Sequence, residues 1–98
     1  MEITKSRKAA QKRGVIFSLK APGAKEVRLL GDFNRWDVKV HPMEMDKTGV
    51  WKKTVMLSPG RYEYKFLIDG RWETDPRNAE MWSNCYGTQN SVIQVDGK

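Results

Sequence analysis

The segment YEYKFLIDGRW, residues 62–72, runs through alternating side chains to an Asp-Gly pair and carries a tryptophan two residues beyond it. Asp-Gly between strand-like runs is a strong hairpin signal, because a type I′ turn needs positive φ at both central positions. With Asp69 and Gly70 as the loop, Ile68 faces Arg71, Leu67 faces Trp72, Phe66 faces Glu73 and Lys65 faces Thr74. Directly opposed residues share a sheet face. Trp72 therefore belongs with Leu67 and Lys65 on the outer face, and the Tyr64/Phe66 stripe points inward. Lys65 and Trp72 stand diagonally, roughly 7–8 Å apart at the backbone, so that one ligand can touch both. GDFNRW, residues 31–36, supplies a second indole: Trp36 is the expected exposed ring and Phe33 the core plug. The C–H-rich face of a hexose lies well against an aromatic face, and lysine or amide groups beside it bond the hydroxyls at its edge. The same two indoles could instead form an apolar patch for a protein partner.

Other reactive side chains suggest no chemistry. Asp32, Asp37, Glu63, Asp69, Glu73 and Asp75 include no pair marked out for glycoside hydrolysis, which needs two carboxyls held across a cleft. Cys85 and His41, the only residues of their types, lie in distant segments and make neither a nucleophile–base pair nor a zinc set. Cys85 is expected to be small, buried or inert. No catalytic residue, metal site or cofactor is expected.

The elements that must position these groups are short and extended. Turn signals recur at Pro22-Gly23, Gly31 with Asn34, Pro42, Asp46 to Gly49, Pro59-Gly60, Asp69-Gly70, Pro76 and Gly87. Between them lie segments rich in Val, Ile, Phe, Tyr and Trp, a pattern of all-β sandwiches and barrels. It predicts strands near 14–20, 26–31, 50–57, 61–68, 71–75 and 90–95, with a weaker one near 40–45 that Pro42 compromises. Parity puts Val15, Phe17 and Leu19 on one face. Trp51, Val55 and Leu57 are inward as well, although Lys53 shares their parity. Trp82, in AEMWSNCYG, reads as a loop residue that either extends the candidate face or caps a sandwich end.

Ninety-eight residues make one domain. The net charge is +6, of which the first thirteen residues contribute +4 through Lys5, Arg7, Lys8, Lys12 and Arg13 against Glu2. The remaining body is too nearly balanced to track phosphates, so a nucleic-acid partner is not expected. Residues 1–13 read as a basic, solvated arm and 14–96 as the domain. No apolar run approaches the roughly 18 residues of a membrane span, and no secretory h-region is present. One cysteine fits a reducing compartment. The expected location is cytoplasmic.

GDFNRW, LSPGRYEYKFLIDGRWETDP and YGTQNSVIQV, in that order, resemble carbohydrate-binding module family 48. This family includes the glycogen-binding domain of the AMP-activated protein kinase β subunit and the N-terminal modules of branching and debranching enzymes. The likeness covers approximately residues 14–95. It implies an immunoglobulin-like β-sandwich of the early-set type that binds α-1,4-glucans such as glycogen, starch and maltooligosaccharides without catalysis. Carried over by motif, the binding residues are Trp36, Lys65, Trp72, Thr88 and Asn90. Tyr86 stands where the family usually has a leucine that reaches past the sugar ring. Three roles stay open: a free glucan-binding module, a scaffold or interaction domain without sugar binding, and an accessory module working with a separate glycogen-metabolising enzyme.

Overall fold

A computed structural model describes residues 12–96; the basic arm expected at the N-terminus lies, through residue 11, outside the described residues. Eight strands follow in chain order: β1 (Arg13–Lys20), β2 (Val27–Gly31), β3 (Glu44–Met45), β4 (Val50–Leu57), β5 (Gly60–Ile68), β6 (Arg71–Glu73), β7 (Met81–Ser83) and β8 (Gln89–Val95). They form two antiparallel sheets, one ordered β1-β4-β3 and the other β2-β5-β8-β7, with β6 also paired to β5. No helix among the described residues is long and apolar enough to cross a membrane. The all-β expectation holds.

The core follows from strand parity. Phe17, Leu19, Trp51, Val55 and Leu57 of the first sheet meet Leu29, Tyr64, Phe66, Ile68 and Val95 of the second. Phe17 and Tyr64 pack edge to face with ring centroids 4.9 Å apart, a favoured geometry for aromatic pairs. Trp51 is buried, and its indole N–H donates to the Ala21 carbonyl at 2.8 Å. Tyr64 reaches the far rim of the core and donates its hydroxyl to Asp75 Oδ2 at 2.7 Å, while Asn78 Nδ2 donates to it at 3.0 Å. Burial, reinforced by Asp75, pushes the Tyr64 phenol well above its ordinary range.

Three elements differ from expectation. The weak strand near 40–45 is divided between the sheets. His41 and Met43 bond β2 through Leu29 N–H and Val27 C=O, whereas Glu44 and Met45 pair with β4. Pro42 sits at the sheet edge, where its missing donor does no harm. The expected strand 71–75 stops at Glu73, since Asp75 turns inward to Tyr64. Trp82 lies in a strand rather than a loop: β7 pairs with β8 in the register Met81↔Ser91, Trp82↔Asn90, Ser83↔Gln89.

Gly31 closes β2 where two backbones approach. A β-carbon there would lie 2.7 Å from the Glu63 carbonyl oxygen and 2.8 Å from the Phe33 ring. The clash is with backbone, so the strand itself must move. Gly31→Ala is expected to cost about 1–3 kcal/mol. A thermal melt should show this as a drop of at least about 5 °C in Tm.

Candidate functional site

The hairpin has the geometry that Asp-Gly dictates. Asp69 has φ of 48° and Gly70 of 84°, and the register is Phe66↔Glu73, Leu67↔Trp72, Ile68↔Arg71. On the same edge of β5, residues 60–64 pair instead with β8, ending at Tyr64↔Ser91. Lys65 is thus the residue at which β5 passes from one partner to the other. An open cleft of about 680 Å³ lies over this point, lined among others by Leu30, Trp36, Lys65, Trp72, Tyr86 and Asn90.

The Trp36 wall is built by Asn34. After β2 the chain makes one turn of 3-10 helix, Asp32–Asn34, and Arg35 and Trp36 both follow with φ of 58°. Two successive non-glycine residues in the left-handed region are strained. Asn34 holds them there with all four of its hydrogen-bonding capacities. Its Oδ1 accepts from the Gly31 and Trp36 N–H groups at 3.0 and 3.1 Å. Its Nδ2 donates to the Leu29 carbonyl at 2.9 Å and to His41 Nδ1 at 2.8 Å. The imidazole therefore accepts at Nδ1 and carries its proton on Nε2. Asp32 fixes the indole itself: Oδ1 accepts from Trp36 Nε1 at 3.1 Å and Oδ2 from the Glu63 N–H at 2.9 Å.

The opposite wall is the β7–β8 turn, held by Asn84. Asn84 Oδ1 accepts from the Tyr86 and Thr88 N–H groups at 2.9 and 3.1 Å. Its Nδ2 donates to Thr88 Oγ1 at 2.8 Å and to Asn90 Oδ1 at 3.1 Å. Tyr86 at the tip is 86% exposed. Lys65 Nζ donates to Thr88 Oγ1 at 3.1 Å and lies 6.0 Å from the centre of the Trp72 ring, within range of a cation–π contact.

Trp36, Lys65, Trp72, Tyr86, Thr88 and Asn90 thus all line one cleft. Their exposure differs from expectation. Lys65 has outward parity but is only 8% exposed, covered by the Trp72 ring and the Thr88 turn. Trp36 is half-buried because its ring packs against Trp72, with centroids 6.3 Å apart and planes at 60°. Cys85, expected to be buried or inert, is an exposed free thiol on the cleft wall. Asn34, Asn84 and Asp32 were missed as positioning residues; the signal was an Asn or Asp within a few residues of each tryptophan or threonine of the site.

Residues 15–98 match the family described as the glycogen recognition site of AMP-activated protein kinase. The chain belongs to this family. Among its relatives, the β-1 subunit of 5′-AMP-activated protein kinase from Sus scrofa is 37% identical over 89% of this chain and 67% of that protein. A 1,4-alpha-glucan branching enzyme from Paraburkholderia xenovorans is 46% identical over 85% of this chain and 12% of that protein. FLOURY ENDOSPERM 6, a chloroplastic protein of Oryza sativa, is 31% identical over 95% of this chain and 17% of that protein. The chain therefore spans a small part of the branching enzyme and of the rice protein.

A proton on His41 Nδ1 is incompatible with the bond it accepts from Asn34, the residue that holds the Trp36 loop. Burial, and then the charge of Lys53, hold His41 below its ordinary 6.5. A histidine with a depressed folded-state value gives stability that is complete above the unfolded value and is lost as pH falls through the folded one. Tm should therefore decline between about pH 7 and pH 5. His41→Gln, which keeps an acceptor but cannot charge, should show a shallower decline in the same melts.

Proposed function

We propose that the protein binds α-1,4-glucans, without catalysis, in the cleft between Trp36, Trp72 and the β7–β8 turn. The observation that carries this reading is the pairing of two inclined indoles with a rim of hydrogen-bonding groups. Trp36 and Trp72 meet at 60°, so they cannot lie flat on one planar ligand. They suit successive rings of a curved chain, and the α-1,4 linkage curves a glucan. Trp72, half exposed, offers the accessible stacking face. Both lone pairs of the Thr88 hydroxyl are engaged by Lys65 and Asn84, which leaves its proton for a sugar oxygen. Lys65, with three donors and one bonded to Thr88, can serve a hydroxyl beneath the ring.

Membership of a glycogen-recognition family supports the same reading. So does the site's supply of carboxylates. Asp32 is the only one on the cleft wall among the described residues, and both of its oxygens are bonded to Trp36 and Glu63. Hydrolysis needs two free carboxyls across the bond. The branching-enzyme relatives align over a small share of their length, which fits a module that brings a glycogen-metabolising enzyme to its polymer. On this reading the partners are glycogen, starch or maltooligosaccharides and such an enzyme, and the expected setting is cytoplasmic.

Removing a central stacking indole from a small wet interface takes away a large share of its affinity. Trp72→Ala should weaken maltoheptaose binding by about tenfold or more, measured by tryptophan fluorescence or calorimetry, with the melting curve showing the variant folded. Cellohexaose, whose β-linked chain is straighter, should bind the wild type weakly. Equal maltoheptaose affinity in Trp72→Ala and wild type would overturn the site assignment. A flat wild-type response at millimolar maltoheptaose would favour a protein-interaction role for the face.

A further inference from the structure

We propose that Trp82 is a second stacking platform, which takes the continuation of the same glucan chain after it leaves the Trp36/Trp72 cleft. The inference rests on the glucan-binding reading above and adds a subsite to it.

The register places Trp82 on the binding face. Trp82 lies opposite Asn90. The β5–β8 pairing that ends at Tyr64↔Ser91 sets Asn90 alongside Lys65, and Leu30 is opposite Lys65 on the other side. One row therefore crosses the sheet from Leu30 through Lys65 and Asn90 to Trp82. Two strand spacings separate Lys65 from Trp82, about 10 Å at the backbone, a distance that a few linked hexoses bridge. Trp82 is outside the cleft, so a sugar stacked there cannot be the one held by Trp72.

Trp82 is also held ready. It is 62% exposed, more than Trp72, yet its ring is not loose. The Arg61 guanidinium lies 5.2 Å from the centre of the indole, and Arg61 Nη1 is bonded to Glu63 Oε2 at 2.9 Å. A cation on one face orients the ring and leaves the other to a ligand.

The ground between the two platforms is polar and continuous. Asn84 donates to Asn90, Asn90 Nδ2 donates to Glu63 Oε1 at 2.9 Å, and Glu63 accepts from Arg61. With the Lys65–Thr88–Asn84 bonds this makes an unbroken chain of hydrogen bonds from the cleft to Arg61, whose guanidinium lies over the Trp82 ring. A ledge of amide, carboxylate and guanidinium groups between two aromatic positions suits a chain of hydroxyl-bearing rings. An apolar protein segment crossing it would desolvate those groups without replacing their water.

The test compares maltotriose with maltoheptaose on the full chain, by calorimetry, for wild type, Trp82→Ala, Trp82→Phe and Trp72→Ala. The ratio of maltoheptaose to maltotriose affinity should fall about three- to tenfold in Trp82→Ala and stay close to the wild-type ratio in Trp82→Phe, which keeps an aromatic face. Trp72→Ala should weaken both ligands. In nitrogen–proton spectra the Trp82 indole signal should move with maltoheptaose and stay in place with maltotriose. An undiminished ratio in Trp82→Ala, or a Trp82 signal that ignores maltoheptaose while Trp72 responds, would overturn the second platform and leave the first standing. Failure of wild type to bind either sugar would overturn the underlying reading and this one with it.

Discussion

The exchange of partners along one edge of β5 is the constraint from which the cleft follows. β8 accompanies β5 as far as Tyr64 and β6 takes over at Phe66. The chain must leave the sheet between these two strands, through residues 74–80, and return as β7. Tyr64, Asp75, Asn78 and Ser91 tie that excursion down: Asp75 accepts the Tyr64 hydroxyl and donates its own N–H to Ser91 Oγ at 2.7 Å, and Asn78 bonds the Val92 carbonyl at 2.7 Å. With the excursion pinned to the core side, the cleft lies over the outer side of the junction, where Trp72 and Thr88 cover Lys65.

Side-chain amides, more than regular structure, make the walls of that opening. Asn34 organises the loop before Trp36 and Asn84 the turn before Thr88. Each uses its oxygen to accept two backbone N–H groups and its nitrogen to donate twice. A fully bonded amide has one orientation, so each wall has one shape. This is what allows Arg35 and Trp36 to remain in the left-handed region. Backbone strain of roughly 1–3 kcal/mol per residue persists only where the surroundings over-determine it, and four bonds from one side chain do so here.

The parts legible in the sequence are those governed by nearest neighbours. Asp69-Gly70 sets its own turn, and counting from it gives the Leu67↔Trp72 pairing and the inward Tyr64/Phe66 stripe without knowledge of the rest of the fold. The burial of Lys65 was not legible in that way. Parity gives its direction, but its cover comes from Trp72 on one hairpin and Thr88 on another, more than twenty residues away. β7 escaped notice for a similar reason. Met81-Trp82-Ser83 is too short to show a period, and it is a strand only because β8 lies beside it. Pro42 shows a limit of another kind: one segment serves two sheets in turn, so neither half is long enough to read.

A small domain has little interior to spare, and the cleft of this one lies on the outside of a sheet whose inner face is already committed to the core. The arrangement separates two demands that usually compete. Tyr64, Phe66 and Ile68 hold the sandwich together on one side of β5, while Glu63, Lys65 and Leu67 look the other way. The outer row is not free of packing, however: Leu30, Lys65 and Asn90 are themselves buried, and Trp82 alone of the four is exposed. The same alternation explains how an edge strand as short as β7 can matter. Three residues are enough to bring Trp82 into the row of Asn90 and Lys65, because the period of two along each strand and the pairing across strands leave its side chain no other face. The row is a product of strand pairing, and four strands contribute one residue each to it.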